Sequence, residues 1–224
     1  MSHRTPTLII ASLSLALLTS VPPAKAGIIT ANWAADGDGA VVCDADTYST
    51  THSAPGVYES FLTMSGIQCQ APGHMVGTIT TDTPYDPVLR LGSTVDNDTG
   101  VPWMGYIVNV SMNNSFTLSD VILYAPASWA VASPVQPTSD GQGLWTGSML
   151  FQSPSSADAI PNGGTIDFSY KMTFAGLTSY SFTQEMIPLM EGMIPVPEPG
   201  LMAGIGGAAL LLISLASRSR RARA

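Results

Sequence analysis

The residues best placed to do chemistry are acidic. DGDGAVVCDAD puts Asp36, Asp38, Asp44 and Asp46 close together, and VDNDTG adds Asp96 and Asp98. Hard cations such as calcium take several oxygen ligands, and alternate carboxylates in a turn can supply them. A loop of the EF-hand type would also need an oxygen ligand two places after Asp38 and a Glu at its twelfth position, where this chain has Ala40 and Thr47. The candidate cation contacts are therefore Asp36, Asp38, Asp96 and Asp98, with calcium as the candidate ion. A solvated Asp-rich turn is the competing reading.

Two cysteines, Cys43 and Cys69, and the loop histidines His52 and His74 form the next group. Their spacing matches neither a zinc-type cysteine pair nor a helical histidine pair. In an oxidising compartment a lone pair of cysteines is expected to bridge. A Cys43–Cys69 bond would close a loop of about 26 residues, worth roughly 3 kcal/mol in the chain-entropy picture.

The chain contains no Gly-x-Ser-x-Gly, His-Glu-x-x-His or Ser-x-x-Lys, so the local signatures of serine and zinc hydrolysis are absent. Glycosidase chemistry needs two facing carboxyl groups, and with sixteen acids some pair always qualifies, so the pattern selects none. Trp33, Trp103, Trp129 and Trp145 could stack on sugar rings if exposed or fill a β core if not. Asn97, Asn109 and Asn113 head Asn-x-Ser/Thr sequons. No catalytic residue is assigned, and the expectation is a protein that is not an enzyme.

The ends of the chain set the compartment in which these residues would work. Residues 1–26 have a short basic start (His3, Arg4), an apolar stretch from Leu8 to Leu18 and small residues at Ala24 and Ala26. This is the layout of a secretory signal peptide, with cleavage expected between Ala26 and Gly27. From Gly27 to Pro199, sixteen carboxylates face two cations, Arg90 and Lys171, a net charge of −14. Such a body repels nucleic acid and anionic lipid, so neither is an expected partner.

Between them, residues 27–194 are expected to form one acidic β domain. In WMGYIVNVSM, Met104, Tyr106, Val108, Val110 and Met112 share one face; in TIDFSYKMTF, Ile166, Phe168, Tyr170, Met172 and Phe174 do. YSFTQEM repeats the period, and the short AGLTS link predicts a hairpin with the preceding strand. Other candidate strands lie near Ile79, from Val88, from Phe116 and from Leu144, with one or two more between Gly27 and Cys43. Seven to nine short strands separated by Pro- and Gly-rich turns predict an all-β antiparallel sandwich, Ig-like or jelly-roll in connection.

Residues 195–224 form the third part. Gly200 to Ser217 is eighteen residues without a charge, about 27 Å at helical rise, enough for one transmembrane helix. Pro195, Pro197 and Pro199 precede it, and Arg218, Arg220, Arg221 and Arg223 follow as a cytoplasmic stop. Pro197, Glu198 and Pro199, then the apolar span, then the arginines, with a signal peptide at the other end, resemble bacterial proteins carrying a PEP-CTERM sorting domain. NDTGVPWMGYIVNVSM also resembles a strand-and-turn element of such cargo proteins. The resemblance implies a partner, a membrane enzyme of the exosortase type that cuts at or near the tripeptide. It also implies delivery from an inner-membrane intermediate to the surface or exopolysaccharide matrix of a Gram-negative type of bacterium. The expected role is structural or adhesive, with exopolysaccharide as a candidate partner. A secreted polysaccharide-active enzyme and an uncleaved tail-anchored surface protein are the alternatives.

Overall fold

A computed structural model describes residues 27–37, 41–54, 57–85 and 87–190, with only the backbone at residues 29, 42–48, 50–54 and 57–58. The expected signal peptide, Asp38, the Pro197–Glu198–Pro199 motif, the apolar span and the arginine tail lie outside the described residues. Within them no helix is long and apolar enough to cross a membrane.

The described chain is all-β, built as two packed sheets. The first sheet has the order β1 (Ile28–Ala35), β4 (Gly73–Thr81), β12 (Ser179–Met190), β6 (Trp103–Met112), β10 (Trp145–Gln152) and β8 (Ala130–Val131), with β9 (Val135–Ser139) also on β10. The second has the order β2 (Val41–Ala54), β3 (Val57–Gln68), β5 (Val88–Asn97), β11 (Thr165–Phe174) and β7 (Phe116–Ala125). A single 3₁₀ turn, Ser156–Asp158, is the one helical element described.

Alternation builds the core between the sheets. Ile166, Phe168, Tyr170, Met172 and Phe174 of β11 are buried and face Tyr106, Val108, Val110 and Met112 of β6. Ring centroids of Phe168 lie 6.1 Å from Tyr106 and 4.9 Å from Phe151, across the sheet interface. Gly77 on β4 has no alternative at its position, because a Cβ there would fall 2.4 Å from the Phe182 ring.

Two expectations are corrected. The two strands linked by AGLTS do not form a hairpin: β11 pairs with β5 and β7, whereas β12 pairs with β4 and β6. Their apolar faces meet across the core, which the alternation permits equally well, so the link crosses from one sheet to the other. The sheets are also not wholly antiparallel, since β3 and β5 pair in parallel. A parallel pair needs a crossover, and β4 in the opposite sheet provides it. Cys69 is a free, partly buried thiol, and the side chain of Cys43, its expected partner, lies outside the described residues.

Candidate functional site

The predicted acidic residues separate into different environments. Asp36 Oδ2 lies 3.5 Å from His74 Nδ1, and the other side of that ring faces Glu185 Oε1 at 3.4 Å. Asp96 accepts a hydrogen bond from Thr165 Oγ1 at 2.6 Å, and Asp98 Oδ2 lies 4.0 Å from Cys69 Sγ. Among the described residues no three His, Cys, Asp or Glu side chains converge as a metal site.

His74 belongs to a polar row crossing four strands of the first sheet. Asn109 Nδ2 donates to Glu185 Oε2 at 2.8 Å, and Ser148 Oγ donates to Asn109 Oδ1 at 2.8 Å. The Ser148 hydroxyl therefore ends the row on an amide carbonyl, an acceptor too weak to activate it as a nucleophile. Of the sequons, Asn97 is fully buried: its Nδ2 donates to the carbonyls of Val101, Ile160 and Pro161, and its Oδ1 accepts from Thr99. Its side chain holds the NDTGVPW turn together and is closed to modification in the fold.

The outer face of the second sheet gathers a different set. Register places Arg90 of β5 beside Lys171 of β11, so the only two cations between Gly27 and Pro199 are neighbours. Arg90 Nε lies 3.2 Å from Glu59 Oε1 and its guanidinium 3.6 Å from Asp120 Oδ2, while Lys171 Nζ reaches the same Asp120 oxygen at 2.8 Å. That hydrogen bond, followed by the Lys171 charge, holds the Asp120 carboxyl below its usual range. Asp167, two residues from Ser169 on the same face, is pushed up by burial, partly offset by a hydrogen bond with Thr94.

The edge strand β7 makes this arrangement by breaking register twice. Between Ser119 and Ile122 two residues oppose one, and Asp120 takes φ 47°, a left-handed backbone that Asp tolerates better than most residues. Tyr124 is skipped between Leu123 and Ala125. The two bulges thus project Asp120 and Tyr124 over the face. Tyr124 is 54% exposed and its hydroxyl shares a hydrogen bond with Ser169 Oγ at 3.1 Å.

The sequence reading missed Asp120 and Tyr124. Arg90 and Lys171 figured in it only as the two cations of an acidic body, and the pairing of β5 with β11 brings them together. The tryptophans go inward: Trp33, Trp103 and Trp129 are buried, and Trp145 packs against the core. Comparison of the chain with family models, curated proteins and solved structures gave no match.

Proposed function

We propose that this chain is an exported, non-catalytic protein of the cell surface or an exopolysaccharide matrix, sorted through a PEP-CTERM-type segment at residues 195–224 by an exosortase-type enzyme. The order of motifs carries this reading: signal peptide, Pro197–Glu198–Pro199, apolar span, arginine cluster. The position of the last strand supports it. β12 ends at Met190, seven residues before Pro197, so a cut at the tripeptide leaves every described strand whole. The body is then released as an intact sandwich of Ig-like or jelly-roll type. Mass spectrometry of the mature C-terminus, from cells with and without the sorting enzyme, tests the proposal. A terminus near Pro199 only when the enzyme is present is expected; Ala224 retained in both would leave a tail-anchored protein instead.

Within this reading the outer face of the second sheet is the contact for exopolysaccharide. An exposed ring beside paired donors and acceptors suits stacking and hydroxyl bonding to a sugar chain. Both cations are already matched by Glu59 and Asp120, which favours a neutral polymer over an anionic one. The core placement of the tryptophans favours binding over cleavage in a Trp-lined cleft. Affinity electrophoresis through dextran, hydroxyethylcellulose or alginate tests this contact. Retardation by a neutral polymer should fall at least about tenfold in Tyr124→Ala, following the loss of an aromatic stacking platform. It should be unchanged in Tyr85→Ala, an equally exposed tyrosine.

A further inference from the structure

Gly27 begins the described chain and is also the residue expected to become the new N-terminus when the signal peptide is removed. Its nitrogen lies 2.8 Å from Asp82 Oδ1. In the other direction Asp82 N donates to Gly27 O at 3.1 Å, so one residue grips both ends of the glycine. A Cβ on Gly27 would stand 3.3 Å from Asp82 Oδ2, which shows how closely the carboxylate lies against it.

From this geometry we infer that cleavage after Ala26 places a free ammonium on the Asp82 carboxylate, making Asp82 the anchor of the mature N-terminus. The inference rests on the reading of residues 1–26 as a signal peptide. Hydrolysis of the Ala26–Gly27 bond leaves a carboxylate on the departing peptide and an amine on Gly27, which takes up a proton from water. An amide nitrogen with a single hydrogen and no charge then becomes a cation with three donors. A bond to a carboxylate becomes charge-assisted, the shorter and stronger kind.

The consequence falls on β1, the edge strand of the first sheet. Its register with β4 is irregular between Ile28 and Thr30, so the first regular pairs are Thr30↔Thr80 and beyond. Asp82 therefore clamps the strand outside its irregular point. Ile28, Ala31 and Trp33 are buried, so fixing the end of β1 fixes three side chains of the core. Processing and folding are coupled: the clamp already made by the Gly27 amide becomes charge-assisted when the signal peptide is cut.

The test uses the full processed protein isolated from the producing cell, as wild type and as Asp82→Asn. N-terminal mass spectrometry should read Gly27 as the first residue of both. Limiting acetic anhydride at mildly acidic pH acetylates the α-amine while keeping its N–H. The reaction should be at least about threefold slower in the wild type, because the amine is held by charge-assisted bonds. Acetylation should lower the thermal midpoint of the wild type by a measurable shift and leave that of Asp82→Asn unchanged. Gly27 termini with equal acetylation rates and no differential shift would overturn the anchor and keep the cleavage site. A terminus elsewhere would overturn both, and an intact Met1 would remove the export reading itself.

Discussion

Tyr170 and Lys171 are consecutive in β11 and live in opposite worlds. Tyr170 points into the seam between the sheets, where its hydroxyl donates to Gln184 Oε1 at 2.6 Å and Gln184 Nε2 donates to Ser93 Oγ at 3.3 Å. Lys171 points outward to Asp120, which is half exposed. The seam repeats the device with Tyr106, which donates to Gln68 Oε1 at 2.6 Å while Gln68 Nε2 donates to the carbonyls of Gln70 and Met186. Buried polar groups are costly when left unpaired, so these tyrosine and glutamine groups are matched, the Trp33 Nε1 being a buried exception; exposed ion pairs contribute little and leave their face open to other uses. Stability belongs to the seam, while the outer face of the second sheet is where we propose recognition.

The sharpest way to break that division is to empty the seam. Trp103 is fully buried, lies 5.1 Å from the Tyr106 ring and donates through Nε1 to Thr99 Oγ1 at 3.0 Å. Trp103→Ala is expected to cost about 3–5 kcal/mol, enough to remove much of a small domain's stability, read as a lower urea midpoint. Tyr106→Phe is gentler. It keeps the ring but leaves Gln68 Oε1 buried without its donor, an expected loss of about 1–3 kcal/mol.

Burial raises the pKa of both seam phenols. In the unfolded chain they ionise near pH 10, so above that pH the unfolded state binds fewer protons and stability falls. The slope is about 1.4 kcal/mol per pH unit for each phenol. Tyr106→Phe or Tyr170→Phe should remove one such increment, measured as a shallower loss of the urea midpoint above pH 10. An unchanged slope would mean that the phenol in question ionises within the fold, against its place in the seam.

How far the sequence carries follows the same line. Period-two patterns located β6, β11, β5, β7 and β10, because burial of alternate side chains is a local property of a strand. Which sheet each strand joins is not local, and so the β11–β12 link was misread as a hairpin. The β2–β3 pair was missed, since YSTTHSA offers no alternation of apolar and polar residues. For the candidate site, Arg90 and Lys171 entered the sequence reading only through the charge count, and Asp120 and Tyr124 are set by bulges that arise from pairing. Of the candidate cation contacts Asp36, Asp38, Asp96 and Asp98, Asp38 lies outside the described residues and the other three have different neighbours, His74, Thr165 and Cys69.

On the outer face the effects should be small. Asp120→Gly deletes the carboxylate while easing the left-handed backbone, so strain relief and lost ion pairs oppose each other. A net change under about 1 kcal/mol in the urea midpoint is expected. A loss comparable to that of Tyr106→Phe would show that the ion cluster, and not only the seam, sets the stability by holding the strands of the second sheet in register.

The finest separation comes from Asp120 and Asp167, two carboxylates of one face shifted in opposite directions. Asp120 sits below its unfolded value because of Lys171, so its contribution is complete above the unfolded pKa and is lost as pH falls through the folded one. Asp167 sits above its unfolded value because of burial, so the folded state takes its proton first and gains stability as pH falls through the folded pKa toward the unfolded one. Asp167→Asn should therefore stabilise the protein slightly at neutral pH and steepen its acid decline, since the compensating group is gone. Lys171→Met should do the reverse, lowering neutral-pH stability slightly and flattening the acid limb that Asp120 supplies. Urea midpoints of both variants between pH 3 and pH 7 measure the pair, and limbs that move in the same direction would contradict the opposite environments assigned to these two carboxylates.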